Sequence, residues 1–215
     1  KALSNPDAVK GMARFGINPE GTLGISVAVL RGLAKEIGKD HDLAERLWES
    51  GVHEARVLAS LVDEPARVTA EQMDKWAGDF DSWDVCDGCC SNLFDKTPFA
   101  YEKALAWSGW EEEFVKRAAF AMMATLAVHD KKAEDERFVG FLPVIRREAT
   151  DERNYVRKAV NWALRQIGKR SRYLNGLAIK TARDLQALDS RAARWVGSDA
   201  LRELTSEKVQ QRLKG

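Results

Sequence analysis

The sequence predicts an all-α protein of short helices joined by short turns, on three observations. Alternating Val, Ile and Thr runs are rare, no Asn-Gly hairpin turn occurs, and Ala, Leu, Glu, Lys and Arg dominate throughout; these are helix formers. Only 5 of the 215 residues are proline, so few helix interiors are interrupted. The joints are short, as at Ser50-Gly51, Asp81-Ser82 and Ser108-Gly109, which makes successive helices antiparallel neighbours. A chain of this length buries a sizeable core, and one domain over residues 1–215 is expected.

In order, a helix is expected over 7–15, ending near Gly16. Asn18 to Gly24 forms a loop, and Ser26 caps a helix over 27–38 that stops at Gly38. Helices follow near 41–50, 53–62, 69–80, 83–95, 98–108, 112–128, 134–148, 154–169, 171–186 and 199–213. The most regular stretch is Tyr155 to Arg170. Its apolar residues Val156, Ala159, Val160, Ala163, Leu164 and Ile167 form one amphipathic stripe.

A weak repeat runs through the chain. HEARVLASL from His53, WDVCDGCCSNLF from Trp83, VKRAAFAMMATLA from Val115 and VRKAVNWALRQIG from Val156 recur every 30 to 41 residues, each preceded by another helix. Paired helices at this period are the mark of an α-solenoid of the HEAT type. The inner helices of such a stack line a concave face.

The formal net charge is +1, but the charge is segregated. Residues 63–113 hold 4 basic and 13 acidic side chains, and residues 116–183 hold 16 basic and 7 acidic. A near-neutral chain with a basic half often has a face for an anionic partner, here the expected concave cleft; the bland reading is an accident of solvated helix faces. Three cysteines, an odd number, argue against a disulfide framework and for a reducing compartment, hence a cytoplasmic location. No run approaches the length of a membrane-spanning helix and no secretory signal is visible. The chain starts at Lys1 without Met, as a trimmed N-terminus would.

Four residues stand out. At about 100° per residue, Trp162 points away from its helix's apolar stripe, among Lys158, Arg165 and Lys169. An aromatic among cations on a polar face suits a polyanion carrying apolar sugars, and the competing reading is packing under a neighbouring helix. Trp83 and Asp87 are four apart and share a face, so Asp87 sits beside an indole at the margin of a core. Asp84 fits better as the residue favoured by that helix's dipole. Arg117 lies among small apolar residues on a helix apolar nearly all round, and needs an anion, either Asp87 or a phosphate; a purely structural ion pair is the rival. Lys169, Arg170 and Arg172 fit phosphate contacts that set affinity without reading sequence. His53 and Arg56 are assigned to packing between helices. Cys86 and Cys89 form a CxxC without a second pair and are read as small core residues, so no metal site is expected.

At these residues the chain resembles the AlkD-like DNA alkylation repair proteins, HEAT-like DNA glycosylases. The resemblance runs from about Gly11 to Arg183, through Gly24–Lys35, SWDVCD from Ser82, and the segments from Val115 and Val156. The segment Leu188 to Gly215 is not matched and is expected as a helical extension. The resemblance implies excision of positively charged alkylated purines, such as 3-methyladenine and 7-methylguanine, from duplex DNA, without metal or organic cofactor. It places the catalytic aspartate at Asp87, the sugar-contacting tryptophans at Trp83 and Trp162, and the cleft arginine at Arg117. The family's lesion-side tyrosine falls on Phe15, which keeps the ring and loses the hydroxyl. The loop from Gly24 through Ser26 to Val27 is expected at the minor groove. A monomer is expected. The alternative within this fold is a non-catalytic module that binds DNA structures or a protein.

Overall fold

The computed structural model describes residues 3–213, and among them every regular element is a helix. The contacts gather into two compact units, dividing after Phe99.

The first unit holds α1 (Pro6–Arg14), α2 (Val27–Ile37), α3 (His41–Glu49), α4 (His53–Val62), α5 (Ala70–Gly78) and α6 (Trp83–Asn92). Side-chain oxygens of Asn5, Ser26, Asp40 and Thr69 cap the starts of α1, α2, α3 and α5, each satisfying a backbone N–H that the helix leaves unpaired. The expected cap at Ser26 and stop at Gly38 are found. Helix α4 packs on α2, α3 and α6. The core of the unit is aromatic: Trp48 of α3 stacks on Trp76 of α5 with centroids 4.0 Å apart, flanked by Phe80. Cys86, Cys89 and Cys90 are fully buried in it, and burial pushes the Cys89 and Cys90 thiols up, away from the reactive thiolate.

The second unit holds α7 (Ala100–Ala106), α8 (Glu113–His129), α9 (Asp135–Val139), α10 (Phe141–Glu148), α11 (Asn154–Gly168), α12 (Arg172–Gln186), α13 (Arg191–Leu204) and α14 (Glu207–Arg212). Residues 115–127 of α8 are all buried, as its all-round apolar sequence requires. Helix α11 lies along α8, and its predicted stripe from Val156 to Ile167 is fully buried. Thus α4 with α6, and α8 with α11, are packed pairs of the four repeat segments.

Two expected boundaries are corrected. The helix expected over 134–148 is two helices, α9 and α10, separated at Gly140. Pro143 explains the restart: it has no N–H for the Val139 carbonyl and is tolerated only in a first turn. The last helix expected over 199–213 is also two, and α13 begins eight residues earlier, at Arg191. Ser190 and Ser206 cap α13 and α14 through Ala193 and Val209. Gly197 lies inside α13, and any Cβ there would overlap the Ala182 carbonyl of α12. It is the contact point of two helices. No helix among the described residues is long and apolar enough to cross a membrane.

Candidate nucleic-acid interface

Of the four singled-out residues, Trp83 and Asp87 belong to the first unit, and Arg117 and Trp162 to the second. Trp83 opens α6 and Asp87 follows one turn later; both are half-buried, while Val85, Cys86, Cys89 and Cys90 carry the helix's buried side. The core thus anchors α6 and leaves the Trp83–Asp87 edge reachable. The Trp83 indole N–H donates to the Phe15 carbonyl at 2.9 Å. Phe15 itself, just past the end of α1, is 73% exposed. Trp83 also lines an apolar cavity of about 580 Å3 with Met12, Ile17, Ile25 and Val27. Phe15, Trp83 and the loop before α2 are therefore brought together on one side of the first unit.

That loop is fixed by a residue the sequence reading missed. Glu54 is only 2% exposed, and its carboxylate accepts the backbone N–H groups of Leu23 at 2.8 Å, Gly24 at 2.6 Å and Ile25 at 3.1 Å. A buried carboxylate is tolerated when such donors replace its water. Gly24 has φ +78°, and a side chain there would overlap the Asn5 carbonyl. Its hydrogen is required by both the turn and the close approach. Ser26 is exposed, and its hydroxyl caps α2 through Val29. The only hint of this in sequence was the order of a glycine-bearing loop and a glutamate in an apolar helix.

Asp84 does more than sit at a helix start. Its Oδ2 lies 2.9 Å from Nε2 of His53, joining α6 to α4. Burial opposes charge on both groups, but the mutual hydrogen bond and charge prevail, raising the His53 pKa and lowering that of Asp84. This agrees with the packing role expected of His53. Arg56 behaves similarly, lying over the Trp48 ring and donating to the Asp79 carbonyl.

In the second unit, Arg117 is 7% exposed and donates through Nη1 to the Tyr155 carbonyl at 2.7 Å. It ties α8 to the first turn of α11. Trp162 lies half-buried, two turns beyond Tyr155 and off the buried stripe. The cations expected at phosphates differ in how they are engaged within the protein. Arg165 pairs with Glu203 at 2.5 Å and Asp199 at 3.7 Å, and Lys169 pairs with Glu203 at 2.6 Å. Arg170 donates to the Ala127 and Ala133 carbonyls, pairs with Asp135, and lies over the Phe138 ring. For Arg165 and Lys169 the physical reason is α13, which packs against α11 and presents Asp199 and Glu203 to this row; Arg170 is taken up by the end of α8 and the start of α9. Lys158 and Arg172 are exposed and have no ion pair among the described residues. Arg172 even sits at the first position of α12, where the helix dipole disfavours a cation.

Among the described residues, no group of three or more His, Cys, Asp or Glu side chains is placed to hold a metal ion. The first unit offers an aspartate beside an indole and a constrained glycine loop, and the second an indole on a basic helix and a buried arginine. On a framework of paired helices they define a helical-repeat protein of the HEAT-like class. The chain belongs to the family described as DNA alkylation repair enzyme, whose sequence profile matches residues 1–204. That match includes α13, which the sequence resemblance did not reach. No curated protein matches the chain. A solved structure described as "a new family of proteins related to the HEAT-like repeat DNA glycosylases with affinity for branched DNA structures" is similar in fold, with a TM-score of 0.75 at 16% identity, covering 94% of this chain and 90% of its own. A designed armadillo repeat protein in complex with a (KR)4 peptide aligns at a TM-score of 0.41 and 14% identity, over 97% and 96% of the two chains.

Proposed function

We propose that this protein is a DNA glycosylase that removes cationic alkylated purines, 3-methyladenine and 7-methylguanine, from duplex DNA. The observation that carries the reading is the α6 edge: Asp87 one turn from Trp83, both half-buried and anchored by a fully buried cysteine face. A cationic alkylpurine is already a good leaving group. The C1′–N9 bond breaks with its electron pair going to the purine, which departs neutral, and the sugar becomes oxocarbenium-like. Negative charge and π-density close to the sugar stabilise that state. In this reading Asp87 faces the developing charge and positions the water that attacks C1′. Trp83 and Trp162 pack on the deoxyribose, and Arg117 holds the backbone. Phe15 and the Ser26 loop lie along the DNA, and Lys158 and Arg172 neutralise phosphates. The reaction calls for no cofactor. Arg165, Lys169 and Arg170 join only if DNA displaces their carboxylate partners.

The test is base release from methylated duplex DNA. Wild type releases 3-methyladenine or 7-methylguanine; Asp87→Asn binds DNA normally and releases them on the order of 100- to 1000-fold more slowly. Equal rates for the two proteins would remove Asp87 from the chemistry. The second reading, a non-catalytic binder of branched DNA, is favoured by the fold likeness to a protein with that affinity. It takes over if neither protein releases base and both prefer a four-way junction to duplex.

A further inference from the structure

We infer that α13 carries a second DNA-backbone contact, centred on Trp195, that continues the Trp162 face of α11. This deepens the proposed function and rests on its DNA-binding half.

Two helices are held side by side by a ladder. Arg157 of α11 lies over the Trp195 ring at 4.7 Å, Asn161 donates to Asp199 at 2.7 Å, and Arg165 and Lys169 meet Glu203. Positions 157, 161, 165 and 169 on one helix answer 195, 199 and 203 on the other. Steps of four in the same direction mean that the two helices run parallel in this row. At about 100° per residue, Trp162 and Lys158 lie to one side of the α11 ladder, opposite its buried stripe. On α13 the residues on that same side are Arg191, Trp195, Ser198 and Arg202. One surface therefore crosses both helices.

Its composition is selective. The exposed positions of α13 are Arg191, Arg194, Trp195, Ser198 and Arg202. They hold three guanidinium groups, an indole and a hydroxyl, with no carboxylate, although the same helix contains two acids. Those acids, Asp199 and Glu203, are turned into the ladder. A large aromatic left 37% exposed is costly to a surface that only meets water. Here it is braced by the Arg157 guanidinium, so little side-chain freedom is lost when a ligand arrives. Arg191 has no ion pair among the described residues, and the pairs of Arg194 with Asp189 and Arg202 with Asp199 are at the exposed edge, where a phosphate competes easily. Cations flanking an exposed indole fit a sugar–phosphate backbone. Packed helices lie about 8–10 Å apart, roughly three base-pair rises of 3.4 Å, so α13 meets the backbone about three nucleotides from Trp162.

The test is binding of a fluorescein-labelled, undamaged duplex by the whole chain across a salt series. Trp195→Ala is expected to bind about tenfold more weakly, Trp195→Phe close to wild type, and Arg191→Gln/Arg202→Gln with a log–log salt slope shallower by about 2. Wild-type affinity and salt slope in both Trp195→Ala and the double variant, with duplex binding intact, would overturn the inference. Failure of the wild type to bind duplex DNA would instead overturn the DNA reading on which it stands.

Discussion

The Glu54 carboxylate accepts the backbone N–H of Gly24 at 2.6 Å, at the centre of three consecutive amide donors. Helix α4 thereby dictates the path of the loop that leads into α2, and with it the apolar cavity beside Trp83. Glu54→Gln keeps the shape but turns an NH2 toward N–H donors. The expected loss is about 2 kcal/mol, a melting shift of roughly 4–8 °C for a chain of this size. A thermal melt of the variant that overlays the wild type would mean that the loop holds itself.

The His53–Asp84 pair makes the first unit sensitive to pH. His53 titrates above its usual 6.5, so its contribution is full below about 6.5 and is lost as pH rises through the raised value. Asp84 titrates below its usual 3.8, so its contribution is present above about 3.8 and is lost as pH falls through the lowered value. Stability from the pair is therefore greatest between these limits. Wild type minus His53→Gln, followed by melting temperature against pH, should give a difference that is largest near pH 5–6 and shrinks as the pH climbs past the raised His53 value. A difference that stays constant from pH 5 to 9 contradicts the charged pair.

Glu203 restrains two cations of the Trp162 face. Burial opposes its ionisation, but Lys169 and Arg165 hold its carboxyl below the usual range. Glu203→Gln leaves both cations underpaired. Duplex affinity should then rise about five- to tenfold at low salt, with a steeper salt slope, while melting falls by a few degrees. Unchanged affinity would place Arg165 and Lys169 away from the DNA.

Much of the architecture was legible because helices declare themselves locally. The stripe from Val156 to Ile167, the cap at Ser26, the stop at Gly38 and the all-round apolar α8 depend on spacing and residue type within one or two turns. The same periodicity put Trp83 with Asp87 on one edge and set Trp162 off its stripe. It does not reach the start of α13: the sequence reading places the last helix over 199–213, whereas Ser190 caps a helix that begins at Arg191.

The sequence by itself determined the helical class, the repeat of helix pairs and the residue types offered along each helix face, since each follows from local pattern. Only the tertiary structure decided which charges are available. Arg165, Lys169 and Arg170 look alike in sequence to Lys158 and Arg172, yet the first three are engaged by carboxylates and carbonyls 34 to 43 residues away. Glu54 likewise reads as one more helical glutamate until three amides from 29 to 31 residues earlier close on it. A charge's partner lies across helices, and periodicity along one helix carries no information about it.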